Sequence, residues 1–376
     1  MSFEQIEAKK ILVRFDFNVP MDGDKIINDY RIKQSLDTIY KLLEKNNKIL
    51  IASHLGRPIE GEYDKNLSLK PVCDYLSMII DKKIKFIKNL PDQIDFEDYQ
   101  IAMLENVRFN VGEKTCSKEL SEKIASYVDC FVFDAFGVSH RRECTTFGVS
   151  EYLQTYPGVN IKYEIYTINK LIKENSKPMT IIISGAKVST KLIVIKKLLD
   201  KCDYMILGGG ILNTFLKAKG YEIGQSLFEE GLVDEATNIL KTNNASKIIF
   251  PTDLTCEVDS QTKNIELTSL CEKDIIYDIG KNSIDCIKDV IKKSSSIFWN
   301  GPLGYVEKKP YDTGTIELAK VIADHKCFSI VGGGDTLPII ENLNLQDQYS
   351  CLSTGGGSLL TYLEGGSLPI ITQLNI

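Results

Sequence analysis

Short runs of Ile, Val, Leu and Phe alternate with longer segments of helical period along the whole chain, and this alternation restricts the fold more than any other feature. The runs are ILVRF (11–15), KILIAS (48–53), IKFI (84–87), IAML (101–104) and CFVFD (130–134) in the first half. In the second half they are TIIIS (180–184), YMIL (204–207), KIIF (247–250), SIFW (296–299) and CFSIV (327–331). Between the first two, Ile32, Leu36, Ile39 and Leu43 recur at the spacing of one helix face. Strand–helix–strand repetition at this interval predicts right-handed βαβ units and mainly parallel sheets covered on both faces. A chain of 376 residues exceeds one ordinary domain. The segment 154–178 divides the two sets of runs with a Pro-Gly turn, a helical pattern (Ile161, Ile165, Ile168, Leu171, Ile172) and a Pro-bounded exit. The reading is therefore α/β, with two doubly wound, mainly parallel-sheet (Rossmann-like) domains joined by a helix and hinge.

Charge narrows the function classes. Forty-five Lys and Arg against 51 Asp and Glu give a net charge of −6, so no global basic field draws the chain to nucleic acid and any anion site must be local. No stretch approaches the roughly 18 apolar residues of a membrane span, and the start MSFEQIEAKK lacks the apolar core of a signal peptide. Ten cysteines include no CxxC pair and no zinc spacing, which reads as reduced, mostly buried thiols in a cytosol.

In open parallel sheets, ligands bind beyond the carboxyl ends of the strands. In the first half those ends carry DFNVP (16–20), SHLGR (53–57), ENVRF (105–109) and DAFGVSHR (134–141), with Arg31 at the start of the first helix. Arg57, Arg108, His140 and Arg141, together with His54, thus fall on one edge. Cations gathered this way repel, and an anionic ligand is the expected compensation, with guanidinium forks suited to phosphate and carboxylate. In the second half the strand ends are glycine-rich: SGAKVSTK (184–191), GGG (208–210), NGPLG (300–304), VGGGDT (331–336) and STGGG (353–357). Glycine lets backbone N–H groups approach phosphate oxygens, and GGGDT precedes a helix whose N-terminus suits a triphosphate. Asp335 there reads equally as an N-cap or as a ligand for Mg²⁺. The chain has no GxxxxGK[ST] loop, GxGxxG fingerprint, GxSxG elbow or HExxH, which sets aside P-loop NTPases, Rossmann dehydrogenases, α/β-hydrolases and HExxH zinc proteases. A kinase with an arginine-lined site on one half and a nucleotide site on the other fits what remains.

From about Ile11 to Ile371 the chain resembles the phosphoglycerate kinase family. The stretches VRFDFNVP, DYRI, ASHLGRP, LSLKPV, LENVRFNVGE, DAFGVSHR, GAKVSTKL, GGGILNTFLK, YDIG, WNGPLGYVE, SIVGGGDT and STGGG…YLEG carry the resemblance in order. It implies reversible phosphoryl transfer from 1,3-bisphosphoglycerate to Mg·ADP, giving 3-phosphoglycerate and Mg·ATP, by a cytoplasmic monomer that closes to join its substrates. It implies a phosphoglycerate-binding domain over 1–155, an inter-domain helix and linker over 156–178, a nucleotide-binding domain over 179–360 and a tail, 361–376, returning to the first domain. Asp16, Phe17, Asn18, Arg31, His54, Leu55, Gly56, Arg57, Arg108, His140 and Arg141 would form the phosphoglycerate site. Gly185, Lys187, Lys191, Gly208, Gly209, Gly280, Asn300, Glu307, Gly333, Gly334, Asp335 and Thr336 would bind the nucleotide, with Asp335 on the metal. Arg31, Lys187, Gly333 and Gly334 would act on the moving phosphoryl group. A catalytically retired scaffold and another carboxylate phosphotransferase, acting on acetate or carbamate, are the alternatives. The chain departs from the family's usual pattern at Arg142 and Glu143, where a histidine often follows the His-Arg pair. It departs again at Thr190, in place of a frequent Asp, and at Leu359, Thr361 and Gly366 in the tail.

Overall fold

The computed structural model describes residues 3–174 and 176–374. Its described residues form two compact units, one of residues up to Tyr166 together with those from Gly366 onward, the other Thr167–Gly365. The division falls inside the helix Val159–Glu174.

In the first unit a six-stranded sheet is built from β1 (Lys10–Phe15), β2 (Lys48–Ala52), β3 (Ile84–Ile87), β4 (Ile101–Leu104), β5 (Cys130–Asp134) and β6 (Thr155–Pro157), in the order β3-β4-β2-β1-β5-β6. All its pairings are parallel. β1, β2, β4 and β5 are buried along nearly their whole length, as expected of strands covered on both faces. Ile11, Val13, Ile49, Ile51, Ile101, Met103 and Val132 meet Ile32, Ile39 and Leu76 from the helices to form the core. The helical face expected between the first two strands appears as two helices, Tyr30–Gln34 and Leu36–Leu43, with Ile32 and Ile39 fully buried. The helix Pro369–Leu374 buries Ile370 against this unit and packs on β6.

The second unit repeats the plan with β7 (Met179–Ser184), β8 (Tyr204–Gly208), β9 (Ile248–Ile249), β13 (Ser296–Asn300), β14 (Phe328–Gly332) and β15 (Cys351–Ser353), ordered β9-β8-β7-β13-β14-β15 and parallel throughout. Inserted between β9 and β13 is an antiparallel sheet of β10 (Asp253–Val258), β11 (Gln261–Glu266) and β12 (Ile275–Ile279). All ten cysteines are free, and six are buried.

The carboxyl end of β5 also fixes the start of the long helix. Asp134 Oδ1 accepts from the Ile161 backbone N–H (2.9 Å), while Oδ2 accepts from Thr38 Oγ1 (2.6 Å) and Asn160 Nδ2 (3.2 Å). Burial raises this carboxyl to about 6 against those hydrogen bonds. A carboxylate from a strand thus satisfies a first-turn donor that a local cap would otherwise serve. Asp134→Ala strands the Ile161 N–H and the Thr38 hydroxyl, and is expected to cost about 2–3 kcal/mol of stability. A lower urea midpoint checks this; an unchanged midpoint contradicts it.

Candidate functional site

At the carboxyl edge of the first sheet, polar side chains from four strand ends form one connected network. Ser53, at the end of β2, donates through Oγ to Phe15 O and accepts from Phe17 N (both 2.8 Å), which fixes the exit of β1. Asp16 follows directly and pairs with Arg31 Nη1. Burial acts to raise the Asp16 carboxyl, but the Arg31 and Arg14 charges and the Asn18 N–H outweigh it and hold it below the usual carboxylate range. Asn18 Oδ1 accepts from Gly56 N (2.8 Å), and Arg108 Nη1 donates to Gly56 O (2.9 Å). Glu143 receives Arg108 Nη2 at 3.0 and 3.3 Å and Arg141 Nη1 at 3.4 Å. The structure therefore joins Asp16, Asn18, Arg31, Gly56, Arg108 and Arg141. His140 is half-buried beside them, its pKa lowered by burial and by Arg141, and Arg57 is exposed one residue beyond Gly56. Phe17 and Leu55 differ from the rest because their side chains belong to the hydrophobic core, which leaves only their backbone near the ligand edge.

Sequence reasoning missed the layer beneath. Arg14, the last residue but one of β1, is fully buried. Its Nε donates to Thr145 Oγ1 (3.2 Å), Nη1 to Phe15 O, and Nη2 lies 3.2 Å from His54 Nδ1. Arginine has no acceptor, so Nδ1 must accept and a neutral His54 carries its proton on Nε2. Burial, with Arg14, Arg108 and Arg31 nearby, sets the His54 pKa well below its ordinary value despite Asp16. Glu113, also fully buried, accepts from the Thr145 hydroxyl (2.5 Å) and N–H (3.2 Å), and its Oε2 has no hydrogen-bond partner. The one signal for this layer was a charged residue inside the apolar run ILVRF.

The compensation expected from an anionic ligand is thus partly internal, since Asp16 and Glu143 already neutralise Arg31, Arg108 and Arg141.

In the second unit, the ends of β7, β8, β13 and β14 converge on a crevice rich in glycine. A Cβ on Gly301 (φ +96°) would collide with Ser184 O and come within 3.2 Å of Lys191 Nζ, and one on Gly209 (φ +59°) would sit 2.9 Å from Gly185 O. Only glycine accommodates both the backbone conformation and the approach. Gly208 lies against Ser184 and Leu303, and Gly333 against Gly301, Asn300 and Thr336. Asn300 Nδ2 donates to Gly332 O (2.9 Å), and the buried Trp299 donates through Nε1 to Gly301 O (2.7 Å). Lys191 Nζ donates to Ser184 O, and burial pulls its ammonium down to about 8 while Asp335 opposes that shift. Thr336 is fully buried, yet its Oγ1 has no partner. The N-cap of the following helix Leu337–Asn342 is Thr336, without a side-chain cap bond, so Asp335 is not the cap that one sequence reading allowed and is exposed on the preceding turn.

Lys187 is exposed on the loop after β7, where Thr190 Oγ1 closes the turn onto Lys187 O (3.0 Å). Gly334 and Glu307 are exposed. Gly280 stands with a different cluster: it begins the helix Lys281–Lys293 against Asp253 and Asn264. Leu359, a departure in the tail, is buried on Gly332 and supports the crevice from behind. Asp278, missed in the YDIG stretch, is buried against Gly304 and Gly314 and accepts from the N–H groups of Gly314 (2.7 Å) and Ile279 (2.8 Å). Desolvation raises it to about 7.

The model of the family described as phosphoglycerate kinase matches residues 2–366. The phosphoglycerate kinase of Francisella tularensis subsp. holarctica (strain LVS) is 43% identical over 376 residues, covering 98% of this chain and 96% of that protein. That of Legionella pneumophila (strain Lens) is 40% identical over 381 residues, covering 100% and 96%. The solved phosphoglycerate kinase from Coxiella burnetii superposes with a TM-score of 0.89 at 38% identity, covering 100% of this chain and 98% of that one. The one from Pyrococcus horikoshii OT3 gives 0.87 at 28%, with the same coverage.

The buried Glu113 carries a pH signature. Desolvation lifts its pKa to about 7, against the Thr145 bonds and Arg14. Its folded-state pKa lies above the unfolded value, so the folded state binds the extra proton and stability falls as pH rises from about 4.5 to about 7. Glu113→Gln removes that slope. Between pH 5 and pH 8, wild type is expected to lose about 2–3 kcal/mol more stability than the variant. Parallel stability–pH curves from denaturant titration would contradict the assignment.

Proposed function

This chain belongs to the phosphoglycerate kinase family, and on that premise we propose that the cation network of the first unit takes the phosphoglycerate and the glycine crevice of the second takes the nucleotide. The family reaction is reversible phosphoryl transfer from 1,3-bisphosphoglycerate to Mg·ADP, giving 3-phosphoglycerate and Mg·ATP. The observation that carries the division is the crevice, because at four strand ends glycines let the backbone approach more closely than any side chain allows, beside Lys191 and the exposed Gly334. A retired scaffold or an acetate- or carbamate-type kinase is not favoured, since the family match spans nearly the whole chain.

The acceptor is a carboxylate, ionised at neutral pH with a pKa of roughly 4, and needs no general base. His54 is correspondingly a neutral hydrogen-bond donor at Nε2 and not a base, with Arg14 fixing its tautomer. Asp16, ionised, holds Arg31 in place. Arg108, Arg141, Arg57 and His140 anchor the distal phosphate, and Asn18 and Gly56 shape the loop between them.

On the nucleotide side, Lys191 and Lys187 meet the phosphates. Gly333 and Gly334 offer N–H groups, while Gly185, Gly208 and Gly209 line the crevice. Asn300 borders the phosphates, Glu307 takes the ribose, and Gly280 lies toward the adenine. The buried, partnerless Thr336 hydroxyl beside the exposed Asp335 carboxylate suits a magnesium–phosphate end, because Mg²⁺ is commonly held by one or two carboxylates plus phosphate oxygens. Magnesium held there by Asp335 would neutralise charge on the phosphates. Catalysis rests on positioning and on cations, above all Arg31 and Lys187, that stabilise the charge spread over the moving phosphoryl group.

No helix among the described residues is long and apolar enough to cross a membrane. We place the protein in the cytoplasm as a monomer, with neither nucleic acid nor membrane as partner.

ADP formation from Mg·ATP is expected with 3-phosphoglycerate and not with acetate or carbamate; a preference for either small acid would overturn the substrate assignment. Arg31→Ala is expected to lower kcat by about 10³-fold while leaving the KM for ATP nearly unchanged. An unchanged kcat removes Arg31 from the mechanism.

A further inference from the structure

The strongest feature that the reaction does not explain is Glu143. A site built to capture phosphate contains a carboxylate that is only 4% exposed and already occupies its anchors. Both oxygens face Arg108 Nη2, at 3.0 and 3.3 Å, and Oε1 also takes Arg141 Nη1 at 3.4 Å. The other end of Arg108 is committed to Gly56 O, and its Nε is buried without a partner. Arg108 itself is 4% exposed, so none of its donors is offered freely to a ligand. The backbone of Glu143 is equally fixed, because its carbonyl accepts from the N–H groups of Thr146, Phe147 and Gly148.

We propose that Glu143 is an affinity-determining residue, a resident carboxylate that competes with the incoming ligand for Arg108 and Arg141, so that an anion binds there only by displacing it. This rests on the reading of Arg108 and Arg141 as the phosphate anchor. Exchanging one carboxylate for another gains nothing in Coulomb energy, whereas a dianion at the same distance interacts about twice as strongly with each guanidinium. Glu143 therefore lowers the affinity for every anion that must displace it, and a dianion has the larger interaction energy with which to meet that cost.

The test is calorimetric binding of inorganic phosphate and 3-phosphoglycerate to the full chain without nucleotide, in wild type, Glu143→Gln, Glu143→Asn and Arg141→Ala. The two neutral variants are expected to bind phosphate about tenfold tighter, and 3-phosphoglycerate tighter by a similar factor. Either variant serves if the other fails to fold. Arg141→Ala is expected to bind phosphate more weakly than wild type. If the neutral variants bind phosphate no tighter while Arg141→Ala weakens it, the role of Glu143 is overturned and the anchor reading stands. If Arg141→Ala leaves phosphate affinity unchanged, both fall.

Discussion

All strands of a parallel sheet finish on the same edge, and that constraint underlies everything proposed for this protein. Each strand end delivers one short loop to a common line, so residues far apart in sequence arrive together without a long connection. In the first unit, Asp16, Ser53, Asn106 and the residues after Asp134 reach one edge because β1, β2, β4 and β5 are neighbours. In the second, Gly185, Gly209, Gly301 and Gly333 do the same after β7, β8, β13 and β14. One architecture thus produces two edges of opposite character, one of side-chain cations and one of closely packed glycine backbone. The difference lies only in which residues follow the strands.

The cation site can exist without a ligand because it is compensated from within. Asp16 faces Arg31, Glu143 faces Arg108 and Arg141, and Glu113 lies beneath Arg14 through Thr145. Buried guanidiniums without such partners would be strongly destabilising. The arrangement keeps arginines folded at the edge and ties their use to an exchange of anions. The second site needs no such device, since its surface is uncharged backbone apart from Lys191, Lys187 and Asp335.

Where packing alone decides, the sequence was legible. The runs 101–104 and 130–134 became strands with those bounds because Ile, Val and Phe in short runs suit a sheet buried on both faces, and 84–87 did so as a partly buried edge strand. The three-residue strands Thr155–Pro157 and Cys351–Ser353 were not, being too short for periodicity to show. The antiparallel sheet was hidden because Gln261–Glu266 is polar and almost wholly exposed. At the edge, the arginines were readable as residues following strands. Their partners were not: Glu143 appeared only as a departure from a family pattern, and nothing marked Glu113 or Thr145 as lying under Arg14, since burial of a charge depends on contacts across more than a hundred residues. Asp335 read equally as a helix cap or a metal ligand from its place after three glycines, but the cap falls one residue later, on Thr336.

Each unit is proposed to carry its own anion site, with phosphoglycerate on one and nucleotide on the other. Hydrogen–deuterium exchange with each ligand alone tests it most directly. With 3-phosphoglycerate the account predicts new protection in 16–18, 54–57, 106–108 and 140–143, and with Mg·ATP in 184–191, 208–210, 300–304 and 332–336. Protection of the first set by Mg·ATP alone, or of the second by 3-phosphoglycerate alone, would contradict it.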